Sequence, residues 1–410
     1  MRVLLLTDPL PPEHKGGAGE VAWRFAGFLR DAGHEVHIIA STQQHNAQLK
    51  EEEREGIMTY ALPSYVPDRW RAYLSLYNPQ TIPTLRRLLQ HIKPDWVNAH
   101  NVHHHLSYYS LALAHGMGYR VTFTSHDVMP FAYGKVMFTP AQGCHIDQEA
   151  YRTRPLDALR AHRLRYNPFR NAIIHHTLAR YTHDRIAVSH AHAQALRANG
   201  SPPFRVVHNS IRTQDWQPHP QGAAQLRTEL GLEARKVILF GGRLSEAKGM
   251  RQLLDALHLV RQHAPNVTLL VLSATSIEAQ VQEVRDAVLR EGHIVSGGWR
   301  QGQALVNAYS LADVVVTPSV YHDPFPTINL EAMAASKPII TTCYGGAKEA
   351  VQDGISGFVV NPYDTATFAN TLTRVLSDPT LAEKMGQAGK AHVEANFAPA
   401  RMVDGYLAGL

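Results

Sequence analysis

Met1-Arg-Val-Leu-Leu-Leu-Thr-Asp8, then Val21 to Ala32 closed by Gly33, then Val36-His-Ile-Ile-Ala40 read in succession as strand, helix and strand. Val3 to Thr7 is an apolar run of buried-strand length, and Asp8, Pro9 and Pro11 end it too soon for a signal peptide. Phe25, Phe28 and Leu29 share one helical face, and Gly33 stands where a helix end wants a left-handed residue. The same alternation recurs at Trp96 to Ala99, Arg120 to Thr124 and Ile186 to Ser189, with helical stretches between. A second series begins near Arg205 and runs through Val206 to Asn209, Val237 to Gly242, Val267 to Leu272, Ile294-Val295, Val314 to Thr317, Pro338 to Thr342 and Gly357 to Val360. Short apolar strands alternating with amphipathic helices make parallel sheets covered by helices. The expected class is therefore α/β, with two Rossmann-like doubly wound domains in series, since 410 residues exceed what one core holds. The polar stretch Thr213 to Gly222 reads as a linker within the second series. Ligands of such sheets bind outside the carboxyl ends of the strands, and a cleft between two facing sheets is the default site.

Composition narrows the function classes. Hydrophobic residues make up 44% and charged residues 18%, the profile of a globular chain. No stretch reaches the roughly 18 apolar residues of a membrane span. Cys144 and Cys343 are far apart in sequence and give no disulfide framework, which points to a cytoplasmic location. Residues 1–205 carry a net charge of +7 and the remainder −2, and 18 of the 25 histidines lie in the first half. That asymmetry suggests an anionic partner such as a charged acceptor or the inner face of a membrane, with at most peripheral attachment. Nucleic acid is disfavoured, because the arginines cluster without interleaved recognition motifs. The unpatterned stretch from Asp127 to Asn171, with Arg160, Arg163 and Arg165, is the candidate for acceptor or membrane contact.

The densest chemistry lies in the second half: Asp323-Pro-Phe-Pro-Thr-Ile-Asn-Leu-Glu331-Ala-Met-Ala-Ala-Ser-Lys-Pro338. Two prolines force a loop, Thr327 is placed to cap, and Glu331 is expected in the first turn of the helix that follows. A carboxylate there complements the helix dipole, but that explains Glu331 alone. It leaves unexplained Asp323, eight positions earlier, and Gly345-Gly346 after the next strand. Upstream, Gly242-Arg243 and Lys248-Gly249 set two cations past a strand end, where they oppose the dipole of the next helix and need a reason.

This ordered set resembles the family 4 retaining glycosyltransferases, whose pattern is Glu-x7-Glu followed by Ala-Met-Ala and Lys-Pro. Here Asp323 stands at the first acid and Glu331 at the second. The likeness extends to Gly16-Gly17, His126, Asn209-Ser210-Ile211, Arg243 and Lys248, most of the chain. The resemblance implies the GT-B fold, two Rossmann-like domains facing across a cleft. Residues 1–205 would bind the acceptor, residues 206–395 the donor, and a C-terminal helix in 396–410 would return to the first domain. It implies a nucleoside-diphosphate sugar donor, with UDP the expected nucleotide, and a glycan, lipid-linked or small-molecule acceptor in polysaccharide or glycoconjugate synthesis. Glu331 would take the ribose hydroxyls, which suits a carboxylate able to accept from both members of a vicinal diol. Arg243 and Lys248 would hold the diphosphate as it gains charge. Asp323 and His126 would face the transferred sugar. Gly16, Gly17 and the backbone of Phe325, Pro326, Thr327 and Ile328 would meet the phosphates or sugar. Trp299 would flank the base or be core. His100, His103, Arg160 and Arg163 are acceptor-side candidates. No metal and no cofactor are implied.

Other readings compete. Gly17-x-Gly19-x-x-Ala22 matches a dinucleotide fingerprint in letters, but it lies too far past the strand end at Thr7, and no acid ends the second strand. His100 and His103-His104-His105 suggest zinc, yet no cysteine or carboxylate stands at ligand spacing. Nothing places residues 323 and 331 across a glycosidic bond, and no covalent nucleophile is evident, so a front-face displacement is expected rather than hydrolysis. A nucleotide-sugar 2-epimerase of the same fold, a sugar phosphorylase and a non-catalytic nucleotide-sugar binder remain as alternatives.

Overall fold

The computed structural model describes residues 1–8, 10–11, 16–42, 48–134, 137, 143–144, 151–153, 159–160, 166–275 and 293–410. The chain forms two compact units, one from Met1–Met137, Asp147–Asn209 and Pro399–Leu410, the other from Phe138–Ile146 and Ser210–Ala398.

The first unit holds an eight-stranded sheet of β1 (Arg2–Thr7), β2 (Glu35–Thr42), β3 (Lys50–Arg54), β4 (Ile57–Pro63), β5 (Trp96–Ala99), β6 (Arg120–Ser125), β7 (Asp184–Ala187) and β8 (Arg205–Val206). Its order is β3-β4-β2-β1-β5-β6-β7-β8, parallel except for the β3–β4 hairpin. In β1, Val3 and Leu5 enter one core with Phe25, Leu29 and Trp96, while Leu4 and Leu6 enter another with Leu85, Val97 and Phe123. That two-sided burial is why β1 is continuously apolar. The hairpin was not expected. Lys50-Glu-Glu-Glu-Arg54 is an exposed polar edge strand without a hydrophobic signal, and it turns on Glu55 and Gly56, both at positive φ. The helix Pro399–Leu407 packs Met402, Val403 and Tyr406 onto the β1 core, with Tyr406 4.3 Å from the ring of Phe25.

The second unit holds β9 (Lys236–Gly241), β10 (Val267–Leu272), β11 (Ile294–Ser296), β12 (Val314–Thr317), β13 (Ile339–Thr342) and β14 (Gly357–Val360), in the order β11-β10-β9-β12-β13-β14. All its pairings are parallel. In each sheet the order reverses beside the first strand, between β1 and β5 and between β9 and β12. A crevice opens at such a switch point.

Two expectations are corrected. The stretch Thr213 to Gly222 is no linker: Thr213–Trp216 is a 3₁₀ turn, a helix follows at Pro220–Glu229, and buried Trp216 meets Tyr309 edge-on at 5.2 Å. A large aromatic within a polar run was the signal passed over. Cys144 and Cys343 are joined in a disulfide across 199 residues, so sequence distance was no guide to their pairing. Among the described residues no helix is long and apolar enough to cross a membrane.

Candidate functional site

In the second unit the carboxyl ends of β9, β12 and β13 bring three loops together. The β9 loop turns at Gly242, at φ +115, and runs through Arg243 to Lys248 before Gly249 starts the helix Met250–His263. Gly249 is required there, because a Cβ would lie 1.9 Å from the carbonyl oxygen of Pro318 in the β12 loop. Gly345, after β13, is held as closely: its Cβ would stand 2.2 Å from the Asp323 carbonyl oxygen, and the Gly346 amide donates to that oxygen at 2.9 Å. Gly345-Gly346 therefore fix the backbone of Asp323.

Lys248 and Asp323, expected at the phosphate and the sugar, form an ion pair at 2.8 Å. The hydroxyl of Tyr321 donates to the same Asp323 oxygen at 2.8 Å, and its ring lies 5.0 Å from the ammonium. Burial alone would lower the Lys248 pKa, but the Asp323 carboxylate and Tyr321 reverse this and hold it above the ordinary lysine value. His322 is fully buried, and burial pushes its pKa down to about 4. Arg243, by contrast, is exposed, with no ion-pair partner among the described residues.

The helix Thr327–Ala334 begins after Pro326 and has no side-chain cap, so Thr327 does not cap it. Its first turn holds no acid, and Glu331 lies in the second turn. A dipole role, confined to the first turn, does not account for that position. Glu331 is 8% exposed and accepts from the Tyr309 hydroxyl at 2.8 Å. Phe325 and Pro326 are buried, whereas Thr327 and Ile328 are half-buried. Asn329 knits the loops, accepting from the Thr317 hydroxyl and donating to Thr341 and the Ala347 carbonyl. Trp299 is 40% exposed, which removes the core reading. Tyr309, Tyr321 and Asn329 were missed; the adjacency of Tyr321-His322 to Asp323 was the only local signal.

In the first unit the ends of β1, β5 and β6 gather a second group. Gly16 caps the helix Gly17–Asp31 in extended backbone without a side-chain bond, and among the described residues nothing lies within 4 Å of where a Gly17 Cβ would stand. His100 Nδ1 meets His126 Nε2 at 2.7 Å, with the rings stacked at 5.0 Å. Burial holds His100 well below the ordinary histidine value and takes His126 to about 4, so both are neutral at pH 7. His103 pairs with Asp127 at 3.2 Å. Asp8, overlooked in sequence, anchors the histidine loop by accepting from the amides of His104, His105 and Leu106. Arg160 is exposed, while Arg163 and Arg165 lie outside the described residues.

Two parallel sheets covered by helices, each with glycine-bearing loops at its switch point, define a doubly wound, Rossmann-like α/β protein. Comparison with known proteins gives the family. Residues 224–392 match the family described as glycosyl transferases group 1, and residues 15–215 match glycosyltransferase family 4. The chain belongs to the family 4, group 1 glycosyltransferases. It is 27% identical to alpha-maltose-1-phosphate synthase of Mycobacterium tuberculosis, over 97% of this chain and 96% of that protein. It is 28% identical to spore coat protein SA of Bacillus subtilis over 47% of this chain, and there it spans only about half (53%) of the relative. Among solved structures, sucrose-phosphate synthase from Thermosynechococcus elongatus has 20% identity and a TM-score of 0.74, covering 99% of this chain and 98% of that one. Anabaena HepE in complex with UDP and glucose has 19% identity and a TM-score of 0.70, covering 100% and 99%. At these identities the structures establish the shared GT-B fold.

Proposed function

We propose that the protein is a retaining, metal-independent glycosyltransferase that moves a hexose-type sugar from a nucleoside-diphosphate sugar, with UDP the favoured nucleotide, to an acceptor hydroxyl. The second unit takes the donor and the first the acceptor. One observation carries the reading: Glu331 is a buried carboxylate in the second turn of its helix, beyond the dipole's reach, oriented by Tyr309 at a switch point. A carboxylate so held suits the two hydroxyls of a ribose. Support for UDP comes from the HepE complexes, with UDP, with UDP-glucose, and with UDP and glucose.

In the reaction the bond from the anomeric carbon to the diphosphate oxygen breaks, and the acceptor oxygen bonds to the same face. The acceptor proton passes to the departing diphosphate. Arg243 supplies an exposed cation for the charge that develops. Lys248 supplies a second, and Asp323 turns toward the sugar hydroxyls once the diphosphate competes for that ammonium. His126, neutral and stacked on His100, offers a hydrogen bond to the sugar without repelling positive charge at the anomeric carbon. Exposed Arg152 and Arg160 would support a peripheral membrane contact for a lipid-linked acceptor.

Thermal unfolding against UDP, GDP, ADP, dTDP and NAD tests the donor assignment. A nucleotide at 100 times its Kd adds about 2.7 kcal/mol, worth a few degrees. UDP should raise Tm in the parent and not in Glu331→Ala; an equal shift in both would remove the role of Glu331. Product analysis with and without acceptor then separates transfer from epimerisation.

A further inference from the structure

A single proton lies between His100 Nδ1 and His126 Nε2, which stand 2.7 Å apart just past the carboxyl ends of β5 and β6. Two neutral imidazoles can share such a bond in two ways, with His100 as donor or as acceptor. Charged forms do not compete at pH 7. Burial lowers the pKa of both rings, and for His126 it outweighs the Asp127 carboxylate, which pulls the other way.

The surroundings of His100 decide which ring donates. His100 is 0% exposed, its amide donates to the Leu6 carbonyl at 2.8 Å, and its ring packs against Phe25 with centroids 6.0 Å apart. Its Nε2 is buried and has no hydrogen-bond partner among the described residues. If His100 accepted the bond, its own proton would sit on that Nε2 as an orphaned buried N–H, which folded proteins avoid more strictly than an unused lone pair. If His100 donates, its Nδ1–H is satisfied and only a lone pair is left over. The donor is therefore His100, and His126 Nε2 accepts. Neutral His126 then carries its proton on Nδ1. That Nδ1 has no partner among the described residues and is not enclosed. The backbone around the ring is also fixed. Ser125 Oγ donates to the Asp127 carbonyl at 3.2 Å across His126, and the Asp127 carboxylate takes the Met129 amide and His103.

We propose that His100 is a positioning residue that fixes the tautomer of His126, making it an Nδ1–H donor to a hydroxyl oxygen of the transferred sugar. This rests on the transferase reading above and deepens it. With Nε2 occupied and Nδ1 protonated, His126 presents no lone pair to a ligand and cannot remove the acceptor's proton.

15N NMR of the full chain labelled at histidine reads the tautomer directly, with His126→Gln identifying the signals. At pH 7 the His126 proton should be on Nδ1 in the parent. In His100→Leu, His126 Nε2 loses its donor, and the signals should move toward a mixture of both tautomers. His100→Asn, whose amide can donate from near the Nδ1 position, should keep Nδ1–H, and it decides if the leucine variant does not fold. A proton on Nε2 in the parent, an unchanged tautomer in His100→Leu, or loss of Nδ1–H in His100→Asn overturns the proposal. Binding of UDP and of UDP-glucose is measured alongside. Affinity for UDP-glucose should fall about fivefold in His100→Leu and recover in His100→Asn, while affinity for UDP, which lacks the sugar, stays unchanged. Equal effects on the two ligands would overturn the contact with the sugar. The expected tautomer in a parent that binds neither ligand would overturn the transferase reading and leave the His100 lock standing; UDP binding with the proton on Nε2 would do the reverse.

Discussion

At the scale of single residues, the Lys248–Asp323 pair is the most exacting test of the second unit. Removing one partner leaves the other charged and mostly enclosed, so Lys248→Met should cost about 3 kcal/mol. The double variant Lys248→Met/Asp323→Leu should recover part of that loss in urea denaturation, while both variants lose transfer. The buried histidines set a pH dependence with a definite sign. His126 and His322 bind a proton near pH 4 when folded and near 6.5 when unfolded. Below pH 6.5 the unfolded state takes up protons that the folded state refuses. Each histidine's stabilising contribution is thus fully present above 6.5 and is lost as pH falls from there to about 4, on the order of 3 kcal/mol apiece. Urea midpoints at pH 7 and pH 5 should differ accordingly, and His322→Asn should flatten the slope.

Among elements, the loops at the strand ends owe their positions to glycines. Gly345→Ala should destabilise by more than about 2 kcal/mol, since it meets the Asp323 backbone at φ +61. Gly118→Ala, also at positive φ but with nothing within 4 Å, should cost only about 1 kcal/mol. The difference between the two midpoints isolates the contact from the backbone strain. The same elements show what a sequence can disclose. β1, β9 and β12 were legible because parallel strands buried on both faces are uninterrupted apolar runs, and β10 because only a single residue, Thr268, breaks its run. β3 was not, because an edge strand has no such requirement. Within the site, Asp323, Glu331, Arg243 and Lys248 could be picked out by residue type and spacing. The pairing of Lys248 with Asp323, the Tyr309 bond to Glu331 and the Asp8 anchor depend on loops from different strands, and no local pattern encodes them.

For the whole molecule, the C-terminal helix is a structural member of the first unit. Tyr406, 1% exposed between Phe25 and Trp96, should cost about 3–5 kcal/mol as Tyr406→Ala, read as a lowered urea midpoint. The disulfide has a practical corollary for anyone dissecting the protein. A polypeptide running from Ser210 to Ala398 looks like an autonomous half, but Cys144 would be left behind, stranding Cys343 as a thiol only 2% exposed. Chimeras that graft this half onto a relative's partner half must therefore carry the short Phe138–Ile146 segment as well, or replace Cys343, before any change in specificity is credited to the graft.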